Sequence, residues 1–262
     1  MKTHFLVILI FFLIIFSCSE KTGSKSNSTD INLEDAIQNA ENRRKSDLNA
    51  SGGNKCLLEY QNKYDQLISE AEVLSATGFT KESLESEYKK TLDNPEYHSF
   101  KFKFANGRLK KFPFLKQKIK APDNITIQSI KAISLAAFEN SNKVISDEET
   151  EATKDVLKDV SEGNSGDAKA DAAAKKAQEL NVSKEEINKT GGDMLDTFQN
   201  ISKAYSVVND LGEAARWNTV TSELSVLQNG VQFVIYCDVN DDTEKNKSVA
   251  IELAKIILNK CK

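Results

Sequence analysis

Apolar residues recur at steps of three and four along most of the chain, a spacing that favours helices over strands. Series of this kind run through residues 57–74, 194–208, 217–234 and 249–256. Each series would place its apolar side chains on one face of a helix. Successive helices of this type, joined by short connections, are expected to pack as an antiparallel bundle.

Chain breakers are rare, because 262 residues contain only 3 prolines and 11 glycines. A sandwich or barrel needs many turns, so this scarcity also favours helices. The capping-box pattern occurs at Ser146–Glu149 and again at Ser183–Glu186. Further helices are expected at residues 81–92, 125–138 and 167–180. We therefore predict an all-α fold for residues 55–262, an antiparallel helical bundle with room for one short β-hairpin near residues 99–114.

The chain begins with an apolar segment that is too short to span a bilayer. Twelve apolar residues, Phe5 to Phe16, follow a short start that carries Lys2. A helix of this length rises about 18 Å, whereas the hydrocarbon core is about 30 Å thick. A charged start, a short apolar run and a small residue before a cleavage point are typical of a secretory signal. Residues 1–17 are therefore predicted to be a signal peptide.

The apolar run ends at Ile15-Phe16-Ser17-Cys18, which resembles a bacterial lipobox. Phe16 departs from the usual small residue at that position, and spirochaetal lipoboxes are looser there. The resemblance implies cleavage before Cys18, a diacylglyceryl thioether on its sulfur and acylation of its new amino group. Several acyl chains would anchor the protein stably in a membrane.

The segment after Cys18 is expected to be a tether covering residues 18–54. Ser19 to Asp30 has no apolar side chain and cannot bury enough surface to order itself. Residues 31–49 have helical composition but a thin apolar face, so a frayed helix and further tether both remain open. Together with the lipobox, this style of sequence resembles the surface lipoproteins of Borrelia-type spirochaetes, and that resemblance implies an outer-membrane protein displayed on the cell surface.

Residues 98–120 form a basic segment that contains no Asp or Glu. Its basic residues are Lys101, Lys103, Arg108, Lys110, Lys111, Lys116, Lys118 and Lys120. Phenylalanines are interleaved with them. This combination suits a polyanion such as a sulfated glycosaminoglycan, an anionic lipid or an acidic host protein. It also suits a solvated face whose phenylalanines fill the core, and both interpretations stay open.

The same segment carries the pattern of a short hairpin. Phenylalanine alternates with lysine from Phe100 to Phe104, as in a strand with one buried face. Asn106-Gly107 is a strong signal for a two-residue turn, and such a turn would pair Phe104 with Leu109.

The sequence contains no motif that indicates catalysis. His98 is the one histidine expected in the mature chain, so a multi-histidine metal site is excluded. Glycine-rich phosphate loops, nucleophile elbows and Cys-x-x-Cys are absent. We therefore predict no catalytic residue, no metal and no cofactor. Cys56 is expected to form a disulfide with either Cys237 or Cys261, or all three thiols stay free.

These features predict a non-enzymatic protein that is attached to the outer membrane through its N-terminal lipid. The resemblance to spirochaetal lipoproteins implies an adhesin or a binder of complement regulators or glycosaminoglycans, so the expected partner is a host polyanion or host protein. Nucleic acid is not an expected partner because the chain is exported. The alternative is a periplasm-facing lipoprotein with a scaffolding role in the envelope.

Overall fold

The computed structural model describes residues 53–110 and 117–262, and these divide into two compact units. The sheet unit comprises residues 53–143 and 204–262, and the helical unit comprises residues 144–203. The predicted signal peptide, the lipidated Cys18 and most of the tether lie outside the described residues, as do Lys111 and Lys116.

The sheet unit is built on a seven-stranded antiparallel sheet with the strand order β1-β2-β5-β9-β8-β7-β6. Strands β3 and β4 pair separately as a two-stranded ribbon. The strands are β1 Leu84–Lys90, β2 His98–Phe104, β3 Leu109–Lys110, β4 Ile119–Lys120, β5 Asp123–Ala132, β6 Tyr205–Val207, β7 Ala214–Asn218, β8 Glu223–Gln228 and β9 Val231–Asp238.

In the order of the chain, helices precede the first strand and follow the last strand of the sheet unit. The regular secondary structure of the helical unit is entirely α-helical. The α-helices are α1 Lys55–Glu59, α2 Glu70–Thr77, α3 Leu135–Ser141, α4 Asp147–Glu162, α5 Ala168–Glu179, α6 Lys184–Lys203 and α7 Thr243–Lys260. Short 3-10 turns occur at Tyr60–Asn62, Tyr64–Gln66, Lys81–Ser83 and Pro95–Tyr97. No described helix is long and apolar enough to cross a membrane.

The main core lies between one face of the sheet and the helices that cover it. Alternate residues of a strand point to the same face, and Phe102, Ile127 and Ile235 are fully buried there. Leu253 and Ile257 of α7 belong to the same buried cluster. The described N-terminal segment adds further apolar side chains, which are Leu57, Tyr64, Leu67, Ile68 and Val73.

The helical unit consists of α4, α5 and α6 around a small core of its own. Leu157 and Ile187 are buried in that core together with Ala177 and Val182. Gly191 lies against Leu157 so closely that a Cβ would come within 2.4 Å of its Cδ2 atom. Helix α6 runs through Gly191 and Gly192 without a break.

The prediction of an all-α bundle is wrong, because most of residues 84–132 and 205–238 form strands. The expected helix at 81–92 is strand β1, and the expected helix at 125–138 is strand β5 followed by α3. Residues 217–234 fall on β7, β8 and β9 rather than on a helix. Strands β8 and β9 bury side chains on both faces, so apolar residues occupy neighbouring as well as alternate positions, and some of them match a helical spacing by chance.

The helices predicted from local signals are confirmed. Ser146 caps α4 with the expected reciprocal hydrogen bonds to Glu149, and Ser183 and Glu186 do the same for α6. The helix predicted at residues 167–180 is α5, and the series at residues 249–256 lies within α7.

The predicted hairpin between Phe104 and Leu109 is wrong, although the strand from Phe100 to Phe104 is confirmed. Phe104 pairs with Leu84 on one side and with Asp123 on the other. Leu109 pairs with Lys120 across the ribbon. Asn106-Gly107 therefore lies in the connection from β2 to β3, where Gly107 has a φ of 71°.

Candidate functional site

Strand β2 separates its phenylalanines from its lysines. Phe102 and Phe104 are fully buried in the core. Lys101 and Lys103 point to the opposite face, where their cross-strand partners on β1 are Glu87 and Glu85. Lys103 Nζ lies 3.0 Å from Glu85 Oε2. Opposite charges facing each other across antiparallel strands stabilise the pair modestly, so both lysines face acidic neighbours within the molecule.

The next part of the basic segment is the pair of strands β3 and β4, which we call the basic ribbon together with the flanking residues Arg108 and Lys118. Leu109 and Lys120 are opposite one another, as are Lys110 and Ile119. Directly opposed residues lie on the same face of such a pair. Lys110 is buried, whereas Leu109, Ile119 and Lys120 are exposed. One end of the ribbon is thus fixed to the protein while other side chains stand in solvent.

Arg108 is fixed by three aspartates at the base of the ribbon. Its Nε atom lies 2.5 Å from Asp123 Oδ1, and its Nη2 atom lies 2.5 Å from Asp238 Oδ1. Its third nitrogen, Nη1, lies 2.7 Å from Asp241 Oδ1. The Arg108 side chain is only 16% exposed and that of Asp123 only 1%. Buried charges of this kind need partners on every side, and this arrangement supplies them.

Lys110 completes the same network. Its Nζ atom lies 2.7 Å from Asp238 Oδ2 and 3.2 Å from Asp123 Oδ1. The Asn106 side chain donates a further hydrogen bond to Asp123. Burial alone would raise the pKa of the Asp238 carboxyl, but the hydrogen bonds and charges of Lys110 and Arg108 outweigh it and lower that pKa. The network therefore favours the ionised form of Asp238 and ties the ribbon to the start of β5 and the end of β9.

The eight predicted binding residues consequently do not form one surface. Arg108 and Lys110 are neutralised inside the ion network, and Lys101 and Lys103 face glutamates on β1. Lys118 and Lys120 are exposed, and neither forms an ion pair with any residue that the structure describes. Lys111 and Lys116 lie outside the described residues.

The aspartates of the network were missed by reasoning from the sequence. Asp123 follows the basic segment directly, and Asp238 and Asp241 lie more than 110 residues further on. Only the antiparallel pairing of β5 with β9 brings Asp123 near Asp238. Asp123, three residues after the basic segment, was the one available signal. Within residues 53–110 and 117–262, no group of three or more His, Cys, Asp or Glu side chains is arranged to hold a metal ion.

A disulfide joins Cys56 to Cys261, with their Cα atoms 5.4 Å apart. This is one of the two pairings that the sequence left open. Cys237 is a buried free thiol in the main core, and burial raises its pKa to about 12, helped by the charges of Asp238 and Asp123. A thiol in that environment is inert. Structural disulfides are typical of exported proteins.

Comparison with known proteins adds no relative: no family model, curated protein or solved structure matches the chain.

Proposed function

We propose that the chain is a non-enzymatic surface lipoprotein whose basic ribbon binds a polyanionic host macromolecule, with sulfated glycosaminoglycan as the favoured class. The observation that carries the proposal is the division of charge within the ribbon. Arg108 and Lys110 hold it in place through buried aspartates, whereas Lys118 and Lys120 are exposed. The lipobox at Cys18 and the Cys56–Cys261 disulfide support export.

The ribbon presents its charges in an order that a linear polyanion can use. Lys118 and Lys120 are two residues apart, so in an extended segment they lie on the same side and roughly 7 Å from one another. Leu109, opposite Lys120, is 50% exposed and provides an apolar contact beside the charges. Because the ion network orders the base of the ribbon beforehand, binding costs less conformational entropy.

The second lysine pair of the chain supplies a matched control. Lys101 and Lys103 have the same spacing on β2, but they face Glu87 and Glu85. The test compares Lys118→Gln/Lys120→Gln with Lys101→Gln/Lys103→Gln on immobilised heparin at several salt concentrations. Both variants lose two charges, so a purely net-charge effect would weaken them equally.

We expect the Lys118→Gln/Lys120→Gln variant to lose roughly tenfold or more in affinity and to show a shallower salt dependence, because two direct anion contacts are removed. The Lys101→Gln/Lys103→Gln variant should change little. Equal affinities for the two variants, or wild-type protein that does not bind heparin at low salt, would refute the assignment of the ribbon.

A further inference from the structure

The place where the expected tether joins the sheet unit is fixed by several contacts. Asn54 donates a backbone hydrogen bond to Asn229 O at 2.9 Å, and its side chain donates to Cys261 O at 3.0 Å. Gly53 lies so close to Val231 that a Cβ would be 3.0 Å from its Cγ2 atom. Cys56, two residues after Asn54, forms the disulfide with Cys261. The chain therefore enters at the β8–β9 turn, and we call this end of the sheet the entry end.

The basic ribbon lies at the opposite end of the same sheet. Strand β9 starts at Val231, next to Gly53, and finishes at Asp238, which binds Arg108 and Lys110. Seven residue steps along an antiparallel strand cover about 23 Å. The entry point and the base of the ribbon are thus separated by about the full length of the central strand.

Exposed apolar side chains lie on the entry side of the sheet. Phe104, the last residue of β2, pairs with Asp123 at the ribbon end of the sheet. The first residue of β2 therefore points towards the entry end, and the β1–β2 connection lies on that side. That connection exposes Leu92 by 57% and Tyr97 by 49%. Leu135, just beyond the end of β5, is 41% exposed. An apolar body with a polar tip makes tyrosine suitable for a lipid–water boundary.

We infer that the entry end, with Leu92, Tyr97 and Leu135, rests on the lipid surface that holds the Cys18 anchor, and that the basic ribbon faces away from it. This inference depends on the lipid anchor of the proposed function. Three half-exposed apolar residues would bind lipid weakly from solution. A tether keeps the domain at a high effective concentration beside the membrane, so that even a weak contact is occupied.

The direction of the chain, rather than apolarity, distinguishes the two ends. The ribbon end also exposes apolar side chains, with Leu109 at 50% and Val220 at 62%. Only the entry end, however, continues directly into the segment that leads to Cys18. The similar exposures at the two ends provide matched reporter positions.

The test introduces one tryptophan at a time into the full-length lipidated protein, which is then reconstituted in vesicles containing acyl-brominated lipid. Leu92→Trp reports on the entry end, and Leu109→Trp and Val220→Trp report on the ribbon end. Trp217 is fully buried and contributes a constant background, which the unsubstituted protein measures. Vesicle flotation is recorded for each sample before the fluorescence measurement.

We expect the emission of Leu92→Trp to fall by roughly half, because a side chain in contact with the interface lies about 5–10 Å into the headgroup and acyl boundary. The two ribbon-end tryptophans should be unaffected. The protein could float with the vesicles and yet show no quenching at position 92, or stronger quenching at position 109. Either result would refute the proposed orientation without refuting the lipid anchor. Protein that fails to float would overturn the anchor and the orientation together, without affecting heparin binding by the ribbon.

Discussion

Replacement of Arg108 by alanine tests whether the base of the ribbon is structural. In the wild-type protein, the guanidinium of Arg108 contacts Asp123, Asp238 and Asp241 at 2.5–2.7 Å. The Asp123 side chain is 1% exposed, so its carboxylate cannot turn to water when the guanidinium is removed. Lys110 would remain as the sole cation beside Asp123 among the described residues, at 3.2 Å.

The magnitude follows from the burial of these charges. Removing one partner of a buried ion pair destabilises a protein by about 3–5 kcal/mol. Because Lys110 still compensates part of the charge, we expect Arg108→Ala to lower the free energy of unfolding by about 3 kcal/mol. Lys103→Ala is the control, since its pair with Glu85 has side chains that are 46% and 68% exposed. Exposed pairs of that kind contribute about 0–1 kcal/mol.

Urea denaturation followed by tryptophan fluorescence measures both variants. Trp217 is the single tryptophan of the chain and is fully buried in the sheet unit, so it reports unfolding of that unit. A similar dependence on urea concentration would show that the same surface is exposed in each case. A loss below about 1 kcal/mol for Arg108→Ala, or a loss equal to that of Lys103→Ala, would refute the structural role of the network.

Three further predictions concern pH and the cysteines. The pKa of Asp238 is lower in the folded protein than its unfolded value of about 4, so the ionised carboxylate stabilises the fold above that pH, and this stability is lost as pH falls through the folded pKa. The free energy of unfolding, measured at a series of acidic pH values, should show this loss, and the Asp238→Asn variant should show a weaker dependence on pH. Replacing Cys56 and Cys261 by serine opens a loop with a sequence separation of 205, so the urea midpoint should fall by an amount that corresponds to at most about 5 kcal/mol, and an unchanged midpoint would contradict the pairing. Cys237 should resist alkylation in the native protein and react after unfolding, as measured by mass spectrometry, because burial raises its pKa to about 12; rapid labelling of the folded protein would contradict its burial.

The sequence predicts the helical unit better than the sheet unit because helix ends carry local chemical signals. A serine followed three residues later by glutamate can satisfy the first backbone donors of a helix, and the two patterns noted at Ser146 and Ser183 both start helices. Strands depend on partners that are distant in sequence. The pairing of β5 with β9 joins residues 99 to 114 positions apart and leaves no local trace.

One strong strand signal was available within residues 217–234. Asn229 and Gly230 separate two short apolar runs and have φ values of 47° and 71°, as a two-residue hairpin turn requires. The accidental three- and four-residue spacing outweighed it. Strand β9 is also rich in β-branched and aromatic residues, which favour strands over helices.

The sequence locates the candidate site, but it does not distinguish the buried cations of that site from the exposed ones. The concentration of lysine and arginine in residues 98–120 is visible at once. The sequence does not show that Arg108 and Lys110 face aspartates contributed by β5 and β9, because that proximity is created by the fold. Charge counting therefore gave the same weight to buried, structural cations and to the exposed Lys118 and Lys120.

Surface proteolysis of intact cells tests the central proposal most directly. The full-length protein is digested on intact cells, beside a periplasmic control protein and a lysed sample. The proposal of a surface lipoprotein predicts that the protein is lost from intact cells while the periplasmic control survives. Protection until lysis would contradict surface display and would favour the alternative role in the envelope.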